Sequence, residues 1–183
     1  MSARVTASFR IAIFFALVSV GFAETKPLAV PFVHQEKNGC GPATIMMLEA
    51  YWTAQGNPET PTSGRQTLQS LSATVTEGTA LGDMRRYLDS HGYHAFTIRT
   101  SAQDLTRQLS KGRAIIVPLE LNHSASVSLH YVVVTGIDER NVWVNDPAKR
   151  KPGRMERDKF EKAWIGAGNW MLLGVPRQPI GNA

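Results

Sequence analysis

The sequence predicts an α+β fold in one domain, with an N-terminal helix packed on an antiparallel sheet. Three observations predict it. The chain has 183 residues, enough for one domain and short for two. Apolar residues recur at helical spacing through the first half. From Ala114 onward they gather into short strand-like runs joined by turns. Helices leading and strands following argue against alternating βαβ units.

Taken in order, Thr25 to Val33 is short and punctuated by Pro27 and Pro31, so it reads as a lead-in strand or extended arm. His34 to Gly41 is a loop. Pro42 suits a first helical turn, where its missing N–H costs nothing. Ala43, Met46, Met47, Ala50 and Tyr51 then mark an inward helix face, and Gly56, Asn57 and Pro58 end it. This is the expected central helix. Pro58 to Gly64 is a polar loop. Gln66 to Ala73 is a weak helix with Leu68 and Leu71 inward. Thr79 is placed to cap the next helix, whose face is Leu81, Met84 and Leu88, with Gly92 just past its end.

Tyr93 to Thr100 alternates like a strand. Ser101 and Asp104 form a capping-box pattern ahead of Leu105 and Leu109, and that helix stops by Gly112. Ala114 to Leu121 is a β run in which Pro118 implies an edge or a bulge. Asn122 to Ser128 reads as a polar loop. Leu129 to Asp138 is the strongest strand. Asp138 to Asn141 turns it, and Val142 to Asn145 returns as a hairpin arm. Lys149 to Gly153 is a basic loop, Phe160 to Trp164 a short helix and Trp170 to Val175 a last strand.

Composition limits the function classes. The chain is 43% hydrophobic and 19% charged, with a formal net charge of +5, which describes a globular protein. The one basic cluster, Lys149, Arg150, Lys151 and Arg154, is read as a solvated loop, since the broad basic surface of a nucleic-acid binder is missing. Residues 1–23 read as a secretory signal peptide and 24–183 as the domain. Arg4 and Arg10 precede the apolar run Ile11 to Val20, and Gly21 and Ala23 supply small residues before Glu24. The run is shorter than the roughly 20 apolar residues of a spanning helix. An uncleaved N-terminal anchor is the alternative, so the expected membrane contact is through this segment alone. The protein is therefore expected to be exported, periplasmic or extracellular.

A single cysteine, Cys40, cannot form an internal disulfide. It stands between Gly39 and Gly41 at a helix start. Unpaired N–H groups and the helix dipole there favour a thiolate. Core packing does not ask for glycine on both sides; a close approach by a substrate backbone does. Gln35, five residues upstream, can bring an amide donor to the same place. His130 opens the strongest strand, and Asp146 closes its hairpin partner, so the two ends lie side by side. A carboxylate on one ring nitrogen fixes the tautomer and leaves the other facing a thiol. Nucleophile, base, orienting group and oxyanion donor are the parts of a cysteine hydrolase. Asn145 is a rival orienter, but neighbours on a strand point to opposite faces.

The segments QEKNGCGPA and LHYVVVTGIDERNVWVNDP together resemble the double-glycine leader peptidase family of papain-like cysteine peptidases. The resemblance spans roughly Val30 to Val175. It implies a papain-like fold, with Cys40 as nucleophile, Gln35 as oxyanion-hole donor, His130 as base and Asp146 as its orienting residue. It implies a peptide or protein substrate and no cofactor. Members often precede a membrane exporter and an ATPase; this chain shows no P-loop or ATPase domain, so the chemistry carries over better than the substrate. The same residues would serve an amidase or acyl-transfer enzyme, and a non-catalytic peptide-binding module is the reading from another class. His91, His94 and His123 lack ligand spacing for zinc. His34 is read as a loop residue, and Trp143, Trp164 and Trp170 as packing residues.

Overall fold

The computed structural model describes residues 26–57, 71, 80–123 and 126–177. Helix α1 spans Cys40–Ala54 and α2 Leu81–Ser90. Strand β1 (Tyr93–Arg99) and helix α3 (Ala102–Leu109) follow. Then come β2 (Ile115–His123), β3 (Ser126–Ile137), β4 (Asn141–Asn145) and β5 (Gly153–Glu156). Helix α4 (Arg157–Gly166) and β6 (Trp170–Pro176) close the described chain. The described strands form one six-stranded sheet, ordered β1-β6-β2-β3-β4-β5. Every neighbouring pair is antiparallel.

Alternate residues of the central strands go to opposite faces. On one face Ile116, Tyr131, Val133 and Leu172 pack with Ile45 and Leu48 of α1 and Met84 and Leu88 of α2. On the other, Ile115, Val117, Val132 and Val134 pack with Leu105 and Leu109 of α3 and Phe160 and Trp164 of α4. Burial on both faces is why β2 and β3 read as continuous apolar runs. Each large side chain buried there contributes about 1.5–3 kcal/mol.

Several local expectations hold. Ser101 and Asp104 form the reciprocal capping box of α3. Gly92 follows α2 at φ +85°, a conformation only glycine adopts without strain. The lead-in segment is an extended arm, tied to β3 by the Leu28 N–H on the Thr135 carbonyl at 2.8 Å. Pro118 lies on an interior strand by order, but β6 pairs with β2 only at Ile116 and Leu172. Beyond that point β2 is a local edge, so Pro118 interrupts no β6 pairing.

Others are corrected. Helix α1 begins at Cys40, so the preceding loop is shorter than expected. Met46 and Ala50 are only partly buried, while Ile45, Leu48 and Trp52 are buried. A central helix covered on most sides does not show a single apolar stripe. Asn122 to Ser128 is not a loop at both ends: β2 runs to His123, and β3 starts at Ser126, paired residue for residue. β5 was not anticipated, the last helix is longer than Phe160 to Trp164, and β1 precedes α3, so helices and strands interleave. The loop expected over Pro58 to Gly64, the cap at Thr79 and most of the Gln66 to Ala73 helix lie outside the described residues. Leu71 is helical and buried.

Candidate active site

Cys40 is the first residue of α1 and is partly buried. A tight turn delivers it there. The Gly39 N–H bonds the Glu36 carbonyl at 2.9 Å. A Cβ on Gly39 would lie 3.1 Å from that same oxygen. Glycine at 39 therefore serves this turn, a nearer reason than substrate approach.

His130 sits on β3 opposite Leu119 of β2. Asp146 follows Asn145, the last residue of β4. β4 pairs with β3 from Val133 upward, so Asp146 emerges just past the paired segment. There His130 Nε2 lies 2.7 Å from Asp146 Oδ1. The same carboxylate oxygen accepts the Ala148 N–H at 2.9 Å, which fixes it from behind. On its other side the ring lies near enough to Cys40 to lower the thiol, as do the backbone N–H groups of Tyr131 and Gly41.

The three groups shift one another. Burial raises the Cys40 thiol, but the hydrogen bond from His130, the Tyr131 and Gly41 N–H groups and the His130 charge outweigh it, so the net shift is downward. Burial lowers His130, yet hydrogen bonds to Asp146 and Cys40 and their charges push it up to about 9. Burial raises Asp146, and the His130 and Ala148 hydrogen bonds with the His130 and Lys149 charges bring it below its ordinary value. The lowered thiol and raised imidazole favour a thiolate–imidazolium pair near neutrality.

Gln35 lies on the loop ahead of α1. Its backbone N–H donates to the Pro147 carbonyl at 3.0 Å. Its side-chain Oε1 is buried with no hydrogen-bond partner among the described residues. The neighbouring His34 places Nδ1 3.0 Å from the Lys149 carbonyl oxygen. The loop carrying Gln35 and the loop carrying Asp146 thus lie against each other. Asn145 is elsewhere engaged: its Nδ2 donates to the Val30 carbonyl at 3.0 Å, and the residue is 2% exposed. His91 stacks on Tyr87 with ring centroids 4.0 Å apart and bonds the Tyr87 carbonyl. Among the described residues no group of three histidine, cysteine or carboxylate side chains could hold a metal ion.

Sequence reasoning missed a cleft of about 370 Å³ lined by Leu81, Thr97, Pro118, Leu129, Tyr131 and Trp170, among others. Its lining residues Leu129 and Tyr131 flank His130 in sequence. The available signal was Leu129, a large apolar residue next to His130 that is 51% exposed. The cleft's walls come from five separate segments, so no local pattern announces it.

A family model described as the peptidase C39-like family matches residues 27–171. The lactococcin-G-processing and transport ATP-binding protein LagD of Lactococcus lactis subsp. lactis is 30% identical over 134 residues, covering 72% of this chain and 17% of LagD. The uncharacterized protein YvpB of Bacillus subtilis (strain 168) is 41% identical over 46 residues, 25% of this chain and 18% of YvpB. The chain spans less than a fifth of the length of these curated relatives. A crystal structure described as a C39-like peptidase from Bacillus anthracis has a TM-score of 0.65 at 16% identity, covering 85% of this chain and 99% of that one. A double glycine motif protease from an AMS/PCAT transporter, in complex with the leader peptide, has a TM-score of 0.61 at 18% identity, covering 84% and 99%. The α+β, papain-like architecture expected from the sequence is the one observed. The family match runs over most of the chain, and on that ground the protein belongs to the peptidase C39-like family.

Proposed function

We propose that the chain is an exported cysteine peptidase that cleaves peptides through Cys40, His130, Asp146 and Gln35. The observation that carries this reading is the His130 ring, held by Asp146 Oδ1 at 2.7 Å and near enough to Cys40 to lower its thiol. The Cys40 thiolate attacks the peptide carbonyl carbon. The carbonyl oxygen takes the negative charge and is held by the Gln35 side-chain amide and the Cys40 backbone N–H, which the first helical turn leaves unpaired. His130 gives its proton to the departing amine as the C–N bond breaks, leaving a thioester. His130 then takes a proton from water, whose oxygen attacks the thioester. The C–S bond breaks, the acid product leaves, and the Cys40 thiolate and His130 imidazolium are restored.

Asp146 accepts from Nε2–H and so keeps the other ring nitrogen turned to sulfur and substrate. The cleft bordered by Leu129 and Tyr131 gives room for an apolar stretch of peptide along the strand that carries His130. Cleavage after a Gly-Gly pair is the preference we infer. LagD is named for processing lactococcin G, and one similar structure holds a leader peptide. Export is supported by the basic, apolar and small-residue pattern of residues 1–23. A mature chain beginning at Glu24 in an extracytoplasmic fraction tests that part by N-terminal sequencing.

The chemistry is tested by assaying Cys40→Ala and His130→Ala on a peptide with a Gly-Gly site. Cleavage should vanish in the first and fall about 10²- to 10⁴-fold in the second. Undiminished cleavage in either variant overturns the assignment.

A further inference from the structure

Two loops far apart in sequence meet beside the site. One carries His34 and Gln35; the other carries Asp146, Pro147 and Lys149. Two hydrogen bonds join them. The Gln35 N–H donates to the Pro147 carbonyl at 3.0 Å, and His34 Nδ1 lies 3.0 Å from the Lys149 carbonyl oxygen. A carbonyl oxygen only accepts, so Nδ1 must carry the proton in that contact. Within the second loop, the Ala148 N–H holds Asp146 Oδ1, and the Lys149 N–H closes the turn on the Asp146 carbonyl at 2.9 Å. The turn that fixes the carboxylate is therefore the turn to which His34 is pinned.

We propose that His34 is a positioning residue for the peptidase reaction: its Nδ1–H clamps the Gln35 loop to the Asp146 turn and so holds the Gln35 amide over the reacting carbonyl. This rests on the reading of Gln35, Cys40, His130 and Asp146 given above. His34 touches neither sulfur nor imidazole, so its effect passes through Gln35. The Gln35 backbone bond alone is a single pivot; with the His34 bond one residue away, the loop has two. Two adjacent anchors fix the direction in which the side chain at 35 leaves the chain. The amide itself is not tied by Oε1, which has no partner among the described residues. Its aim then depends on the backbone beneath it. Small misplacements of a group that acts on the transition state lower turnover without loosening substrate.

The chemistry of the contact selects the test. Asparagine carries an amide N–H close to where the His Nδ1–H lies, whereas alanine carries no donor. On a Gly-Gly peptide, His34→Ala should lower kcat about tenfold, short of the two to three orders of magnitude for loss of an oxyanion donor. KM should stay within about twofold, and His34→Asn should recover most of the loss. Alkylation of Cys40 by iodoacetamide at pH 6 needs no oxyanion donor, so its rate should match wild type in both variants. Unchanged kcat in His34→Ala overturns the clamp. So does equal loss in the Ala and Asn variants, or a parallel fall in alkylation, which would report general loosening of the site. Cys40→Ala run alongside separates the two ideas. Turnover surviving there overturns the peptidase reading and the clamp with it; turnover lost there but intact in His34→Ala overturns the clamp alone.

Discussion

Asn145, the last residue of β4, and Asp146, the next, hold different partners. Asn145 Nδ2 holds the Val30 carbonyl at 3.0 Å, while Asp146 Oδ1 holds His130 Nε2 at 2.7 Å. One residue therefore anchors the extended arm, and the next faces the imidazole. β4 ends at Asn145, and the chain leaves the strand at Asp146.

Asn145→Ala should accordingly cost stability and spare chemistry. The side chain is buried, and its loss leaves the Val30 carbonyl without that donor. The expected cost is about 1–3 kcal/mol in denaturant unfolding. The kcat of the folded fraction should match wild type. A hundredfold fall in kcat would instead make Asn145 the orienting group.

The pH profile of kcat/KM should be bell-shaped. The productive pair is thiolate with imidazolium. Below the lowered Cys40 value the sulfur gains a proton, and activity falls. Above about 9, His130 loses its proton and cannot protonate the leaving amine. The alkaline limb should thus lie near 9, well above the ordinary histidine value of 6.5. A limb near 6.5 would mean that His130 lacks its partners.

Asp146→Asn keeps an oxygen to accept from Nε2–H but removes the charge that raises His130. Its alkaline limb should move below 9, because a neutral partner stabilises the imidazolium less. Its kcat should fall less than that of Asp146→Ala, which also loses the orienting contact. Identical profiles for wild type and the Asn variant would exclude the carboxylate charge from the mechanism.

Gln35→Ala removes the amide while leaving the Pro147 contact, which is made by the backbone N–H. Its kcat should fall about a hundred- to a thousandfold. The rate of Cys40 alkylation should be unchanged. A change in KM alone would place Gln35 in substrate binding rather than at the oxyanion.

How much of this was legible in the sequence follows from the physics of each element. Cys40 before Pro42 marked a helix start because first-turn geometry is local. Ser101 and Asp104 marked another for the same reason. The parity argument said that only one of Asn145 and Asp146 could face His130, and the resemblance pointed to Asp146. Asn122 to Ser128 misled because asparagine, histidine and serine have weak strand preference; the register of the β2–β3 ladder overrode it. β5 is four residues of edge strand, GRME, too short and polar to announce itself. The stripe on α1 was misjudged because that helix is buried on most sides. The cleft and the His34 contact join segments distant in sequence, and no periodicity encodes such a meeting.

The central claim is that Cys40 is a thiolate because His130 is beside it. The most direct measurement is the rate of Cys40 alkylation by iodoacetamide from pH 5 to 10, in wild type and in His130→Ala. The account predicts that wild type reacts at pH 6 faster than free cysteine, with its midpoint below 9, and that His130→Ala shifts the midpoint upward. Superimposable curves with the midpoint of an ordinary thiol would contradict it.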